Sequence, residues 1–463
     1  MPNSTFKDTD KSFSEIFSNF TASLRFEHLP GEVVESAKLI FLDAIGLALV
    51  CSDMDFARGV IETVKALGGC PESVIIGKGD KVPASNAGLA NGTMVRGVEL
   101  DDTHMSSHIH VSSFVIPTAL AVGEATGESG KSVITAAVAG YEVASRMGTA
   151  GEKMISQGLH CTGIWGPFGA ATVAGKLMGL STEEITMALG IAGSQAAGIL
   201  QAQPEGAWTT RLQSGWASHS GILAGQLAKQ GFIGPRQVLE GKFGLYNALL
   251  GPGNFNLGML TQGLGKFWET MQTSFKFFSA GHGIHFYLSS ALHLKQKHAI
   301  QPDDIEEVKC LVTPVRASLH FEPGEARYTP SNPHMARFSL PYTIAIVLLE
   351  GNVGLEAYSQ EKLKDFKLLE LAQKVTYAID PEAEMQGKQG HIIIRTKDGK
   401  VYEWIEEALR GTPDNPASKE DVESKFRINT RKILTAAKAE SIINTVNNLE
   451  KQNNLSKLMG LLS

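Results

Sequence analysis

The sequence predicts a mainly α protein: a large all-helical domain, to which the C-terminal tail returns, and a smaller α+β module placed before that tail. Three observations lead there. Apolar residues recur at helical spacing through roughly the first 265 residues. Glycine is abundant, 48 residues, and often sits beside alanine in runs such as GPFGAATVAGKLMG and GIAGSQAAGIL, where small side chains let helices approach closely. Beyond residue 300 the texture changes to alternation, with one clear hairpin. At 463 residues the chain is too long for one ordinary core, so two domains are expected. The texture changes divide it as 1–270, 271–410 and 411–463, the first and last parts together forming the helical domain.

The first strong helix opens at Pro30, where PGEVVESAKLIFLDAIGLALV puts Val33, Ala37, Ile40, Phe41, Ala44 and Leu47 on one stripe. Alanine-rich apolar segments follow at 86–98, 114–126, 131–147, 167–179, 182–200 and 215–230, and Ser181 with Glu184 forms a capping box. In the second texture, a strand is expected around Val308 to Val312. HIIIRTKDGKVYEWIEE reads as a hairpin turning at Asp398-Gly399. Helical stretches are expected at Tyr342 to Leu349 and Leu363 to Ala378. GTPDNPASKEDVESKF reads as a polar connector, and Asn429 to Leu449 as a helix that needs the first bundle to pack against.

Totals exclude several function classes. The formal net charge is −6 without a long basic block, so there is no nucleic-acid footprint. No apolar span is long enough to cross a bilayer. The start, MPNSTFKDTDKS, lacks the basic and apolar regions of a secretory signal. Four cysteines, Cys51, Cys70, Cys161 and Cys310, are scattered without a C-x-x-C pair, which fits a reducing cytoplasm rather than a disulfide scaffold.

The segment richest in chemistry is GVELDDTHMSSHIHVSSFVIPTAL. It offers Glu99, Asp101, Asp102, Thr103, His104, His108 and His110 in a polar loop between two apolar helices. Carboxylates beside imidazoles tune each other's pKa and serve as base and acid. For any one residue a solvated loop is the bland reading; the convergence favours function. His104, His108 and His110 are also possible metal ligands, but H-x-x-x-H-x-H matches no established ligand spacing, and no metal is expected. ATGESGKS, Ala125 to Ser132, loosely resembles a phosphate loop, yet a helical segment precedes it where a strand is required, so a turn between helices is expected. His160 precedes a helix rich in small residues, and Lys276, His282 and His285 lie in the aromatic run SFKFFSAGHGIHFYL. Each alone reads as a satisfied structural residue; Lys276 also suits a substrate carboxylate. No G-x-S-x-G elbow supports covalent catalysis.

Together these segments resemble the MmgE/PrpD family across nearly the whole chain. The likeness rests on P-x-E-V…A-K…L-D-x-I-G (Pro30 to Gly46), L-D-D-T-H (Leu100 to His104), H-C-T-G…G-P-F-G-A-A (His160 to Ala171) and R-L-x-x-G (Arg211 to Gly215). Further matches are K-x-x-x-x-x-G-x-x-H (Lys276 to His285), R-F-S-L-P-Y (Arg337 to Tyr342) and G-x-P-x-N-P…K-F (Gly411 to Phe426). The resemblance implies a homodimer with a cofactor-free site between the helical domain and an inserted α+β lid. It implies action on small di- or tricarboxylates by moving a proton beside a carboxylate, followed by water loss, decarboxylation or epimerisation. Thr103, His110, His160, Lys276 and Tyr342 fall on family active-site positions, and His285 on a recurring histidine. Two departures stand out. Glu99 replaces an aspartate, and Thr210 with Gln213 replaces a lysine and a histidine, with Arg211 the nearest cation.

The resulting expectation is a metal-independent cytoplasmic lyase, foremost a hydro-lyase, on a small carboxylic acid. His110 and His160 would move the proton, Asp102 would orient, and Tyr342 would assist the leaving group. Glu99, Thr103, His104, Arg211, Lys276 and His285 would hold the substrate. Rival expectations are a decarboxylase, an epimerase, a carboxylate-binding homologue without turnover, and a metal hydrolase.

Overall fold

A computed structural model describes residues 11–381 and 389–463; most of the polar N-terminal start lies outside them. Its buried apolar residues form two clusters. One runs from Phe17 to Phe275 and resumes from Val422 to Leu462; the other spans Phe278 to Ile394. The protein is mainly α, with a smaller α+β part.

The long segments with helical periodicity form the first cluster: Gly31–Cys51, Ala84–Val95, Ser112–Thr126, Gly130–Ala150, Cys161–Leu177, Thr182–Gly193 and Thr209–Lys229. Most are buried on nearly every side, so their stripes are broad rather than amphipathic. Two shorter helices, Phe13–Ser23 and Asp55–Leu67, lie outside the segments that periodicity predicts. Ser181 and Glu184 cap Thr182–Gly193 reciprocally, as expected. The ATGESGKS segment is a helix–turn–helix: Gly127 adopts a left-handed C-cap, and Ser129 accepts from the Ser132 N–H.

Glycine permits one close crossing that positions the site. A Cβ at Gly215 would lie 2.2 Å from the Leu89 carbonyl oxygen, so only glycine lets Thr209–Lys229 seat on Ala84–Val95. That crossing brings Arg211, one turn earlier, to the end of the facing helix.

The second cluster is built on a four-stranded sheet ordered Val375–Ile379, Ile305–Val312, Ile392–Thr396, Val401–Trp404; the first pair is parallel and the others antiparallel. The hairpin turns at Asp398-Gly399, where Gly399 has φ 83°. Helices His285–His298 and Leu340–Glu350 pack with this sheet.

Two expectations are corrected. The stretch Leu363 to Ala378 is not one helix: it is helical over Phe366–Gln373 and then becomes the strand Val375–Ile379. Ladder bonding to Ile305–Val312 outweighs helix continuation for the β-favouring run VTYAI. The supposed polar connector also becomes helical at Lys419–Thr430, capped by Ser418 and Asp421. That helix buries Lys425, which pairs with Asp43 at 2.7 Å and donates to the Leu100 carbonyl at 2.8 Å. The tail packs on the first bundle: Gly130 N–H donates to the Gln452 carbonyl at 2.9 Å, and Lys38 pairs with Glu450. Among the described residues, no helix is long and apolar enough to cross a membrane.

Candidate active site

The loop after Ala84–Val95 carries the acidic residues inward. Glu99, at φ 54°, is in a left-handed conformation that is uncommon for a residue with a Cβ, a strain that recurs at functional sites. Further on, Thr103–His104 pairs antiparallel with Thr273–Ser274, Thr103 opposite Ser274. This short ladder delivers Lys276, two residues beyond it, to the acidic loop. Lys276 Nζ lies 3.7 Å from both Glu99 and Asp101. Arg96, from the end of the preceding helix, reaches Glu99 at 2.6 Å and Asp101 at 3.3 Å. All four side chains are buried.

His110 closes the group. Its Nδ1 is 2.9 Å from the Asp102 carbonyl oxygen and 3.2 Å from the Asp101 carboxylate. A carbonyl only accepts, so Nδ1 carries the proton and Nε2 of the neutral ring is left as the base. Thr103 Oγ1 lies 3.4 Å from Nδ1. The His110 N–H donates to Thr162 Oγ1 at 3.2 Å, which ties this loop to the start of Cys161–Leu177 and so to His160. His160 is held by its N–H to the Gly198 carbonyl at 3.0 Å; a Cβ at Gly163 would meet the Ala197 oxygen at 2.5 Å, so this approach also requires glycine.

Burial and charge set the protonation states. Burial pushes the carboxyls of Glu99 and Asp101 up, but Arg96 and Lys276, with His110, outweigh it and hold both below the ordinary range. Burial lowers Lys276, with Asp101 and Glu99 opposing. Burial and Arg96 lower His110, against the pull of Asp101. His160 is pushed down to about 3 by burial first and by Arg96 next, so it is neutral near pH 7. Several buried polar atoms here have no hydrogen-bond partner among the described residues: Lys276 Nζ, Arg96 Nε, His160 Nδ1 and both ring nitrogens of His282. Orphaned buried groups are costly, and their convergence marks a site awaiting a polar ligand.

The expected residues separate into three groups. Glu99, Thr103, His110, His160 and Lys276 gather as described. Arg211 does turn inward: it is buried, its Nε donates to the Gly97 carbonyl at 2.8 Å, and its guanidinium lies 4.7 Å from the Phe56 ring centroid. His285 lies at the edge, its Nε2–H donating to the Ala280 carbonyl at 3.0 Å and its ring stacked on His282.

Three others have different work. Both carboxylate oxygens of Asp102 are occupied, by the Ser112 N–H at 3.0 Å and the Tyr141 hydroxyl at 2.5 Å. Burial raises this carboxyl to about 6, against those two hydrogen bonds. Asp102 therefore braces the loop, and its neighbour Asp101 faces the site. His104 turns the opposite way, with Nδ1 2.8 Å from Ser107 Oγ and Nε2 3.0 Å from Glu269, leaving no ring nitrogen for a substrate. Tyr342 is buried in the α+β core and its hydroxyl donates to the Ala357 carbonyl at 2.9 Å. The three close histidines do not converge: His104 faces Glu269, His108 is an exposed turn residue at φ 55°, and His110 faces Asp101.

Sequence reasoning overlooked Arg96, the full role of Asp101, and a set from the α+β part: His334, Arg337 and Tyr358. Arg337 is buried, donates through Nε to Ser279 Oγ at 3.3 Å, and lies 4.3 Å from the Tyr358 ring centroid. Arg96 could have been found as a lone cation three residues before Glu99, and Arg337 opens a motif already singled out.

Residues 15–258 match the MmgE/PrpD N-terminal domain and residues 278–451 the MmgE/PrpD C-terminal domain. The chain belongs to the MmgE/PrpD family. It is similar to the cis-aconitate decarboxylase of Aspergillus terreus, at 26% identity over 96% of this chain and 94% of that protein. It is similar also to the cis-aconitate decarboxylases of Mus musculus and Homo sapiens. Each is 28% identical and covers 98% of this chain, over 93% and 95% of those proteins respectively.

Proposed function

We propose that this family member is a lyase acting on a small di- or tricarboxylic acid, and specifically a metal-independent hydro-lyase. The observation that carries the reading is the buried Lys276 Nζ and His160 Nδ1, without hydrogen-bond partners among the described residues, beside a frame in which Asp101 and the Asp102 carbonyl fix the His110 tautomer. His110 Nε2 takes a proton from the carbon beside a substrate carboxylate, and the Asp101 carboxylate stabilises the imidazolium that forms. Charge that develops on the substrate carboxylate is met by preorganised cations. The Lys276 ammonium, lowered by burial and without a hydrogen bond among the described residues, protonates the departing hydroxyl. A C–H and a C–O bond break, a C=C bond forms, and water leaves. His160, neutral and held against Gly198, orients a carboxylate oxygen. Tyr342 has no part in this scheme.

Decarboxylation is the second reading, favoured by the similarity to cis-aconitate decarboxylases. There the C–C bond breaks, carbon dioxide leaves, and the electron pair left on carbon takes its proton from the Lys276 ammonium. Incubating the protein in D2O with a panel of citrate isomers, 2-methylcitrate and cis-aconitate, followed by NMR, separates the two. Formation of an alkene with the carbon count unchanged supports the hydro-lyase; loss of one carbon with deuterium at the product carbon supports the decarboxylase. Full turnover by His160→Ala or Lys276→Ala would overturn the site assignment.

A further inference from the structure

A charge inventory of the site does not close. Arg96 and Lys276 are matched by Glu99 and Asp101, and Lys425 by Asp43. Arg211 and Arg337 remain. Both are buried, and neither has an ion-pair partner among the described residues. They come from different parts of the fold, Arg211 from Thr209–Lys229 and Arg337 from the helix Pro333–Arg337. Yet they are fixed to consecutive backbone carbonyls immediately before Glu99. Arg211 Nε donates to Gly97 O at 2.8 Å, while Ser279 Oγ donates to Val98 O at 2.7 Å and itself accepts from Arg337 Nε at 3.3 Å.

Other acceptors do not neutralise them. Arg337 spends Nη1 on the Pro333 carbonyl at 3.2 Å, and its Nη2 has no hydrogen-bond partner among the described residues; the same holds for both terminal nitrogens of Arg211. The Cys51 thiol, which feels both guanidiniums, is pushed up to about 12 by burial and is no counter-ion near pH 7. Tyr358 under Arg337 is likewise held neutral by burial. One turn before Arg337, His334 is buried, both its ring nitrogens lack a hydrogen-bond partner among the described residues, and it too feels Glu99, Arg211 and Arg337. Two desolvated guanidiniums without a carboxylate destabilise a fold unless an anion completes them.

We infer that Arg211, Arg337 and His334 form a second carboxylate subsite, bridging the helical and α+β parts, which binds the substrate carboxylate remote from the reacting carbon. The inference rests on the lyase reading and deepens it: the substrate must carry at least two carboxylates, and the cation missing at Thr210 is supplied by a pair of arginines. Arginine suits this role because its planar fork grips a carboxylate in two places. A ligand held there contacts both parts of the fold at once.

Isothermal titration of the intact protein with succinate, tricarballylate and butyrate tests this, with Arg337→Gln, Arg337→Lys, Arg211→Gln and His334→Asn as variants. The wild type is expected to prefer succinate or tricarballylate over butyrate. Arg337→Gln and Arg211→Gln should each reduce that preference about 10- to 100-fold, the range for losing a charge-assisted hydrogen bond. The double variant should lose less than the product of the two, because both grip one carboxylate. Arg337→Lys controls for folding and should retain part of the preference. A wild type without a di- over monocarboxylate preference, or variants that leave the preference intact, overturns the subsite. Turnover is scored separately in D2O: failure there with an Arg-dependent preference sinks only the lyase reading, and turnover with an Arg-independent preference sinks only the subsite.

Discussion

Two buried charge clusters lie on opposite sides of the Thr103–His104 strand, and only one of them is unfinished. In the first, Arg146 gives Nε and Nη2 to Glu142, Nη2 also to the Phe267 carbonyl, and Nη1 to the Gln262 carbonyl. Glu269 meets His104 at 3.0 Å and Arg146 at 3.6 Å, and its N–H donates to Glu142. None of these four side chains has an orphaned buried atom. Around Lys276 the lysine stands 3.7 Å from both Glu99 and Asp101, and its Nζ and the Arg96 Nε have no hydrogen-bond partner among the described residues. A completed network specifies a fold; an incomplete one spends stability to hold groups ready for a ligand.

The largest contrast should come from removing one cation on each side. Lys276→Met is expected to cut kcat by at least about 1,000-fold with a cooperative melt retained, because the scheme loses its acid and a charge together. Arg146→Met should instead cost about 3–5 kcal/mol of stability by leaving two carboxylates buried; chemical denaturation and kinetics on both variants measure the split. A Lys276 variant that unfolds while the Arg146 variant stays active would reverse the assignment of the two clusters.

Next in size, His110→Gln is expected to lower kcat about 100- to 10,000-fold, the usual range for a lost general base. His104→Gln, in the completed network, should leave kcat within about tenfold, since no mechanism routes through it. Equal losses in steady-state kinetics would remove the distinction.

Asp101→Asn sharpens the comparison further. Asp101 raises the His110 pKa, and the base works as the neutral ring. The variant should shift the acidic limb of the pH–kcat profile to lower pH and reduce its plateau about 10- to 100-fold. An unmoved limb would dissociate Asp101 from the base.

The smallest effect is on stability against pH. His160 and His285 are lowered to about 3, and His320 and His334 to about 4, all by burial first. Between about pH 6.5 and those values the unfolded chain binds more protons than the folded one, so stability is present above about 6.5 and lost on acidification. Thermal melts from pH 7 to 4.5 should show a falling Tm, and His285→Gln should flatten the fall. A Tm that rises on acidification would contradict these neutral histidines.

Much of the frame was legible because long helices announce themselves by period. The small residues of GPFGAATVAGKLMG pointed to close helix packing, and Asp398-Gly399 to the hairpin. What failed did so for local reasons. The run after Gln373 became a strand because a parallel partner awaited it, and Lys419–Thr430 became a helix because its apolar side meets Gly31–Cys51. In the site, adjacency misled: Asp101 and Asp102 are indistinguishable in a string, but the chain turns one toward Arg96 and the other toward Tyr141.

The mainly α architecture, the change of texture near residue 300, and the acidic loop with His110, His160 and Lys276 as candidates could all be read along the chain. Periodicity, turn chemistry and residue type are local properties, and they are written along the chain. Which groups remain unsatisfied follows from the folded arrangement alone. Completion depends on partners far away in sequence: Lys276 with Glu99, His104 with Glu269, Tyr342 with Ala357, and Arg211 and Arg337 through the carbonyls of Gly97 and Val98.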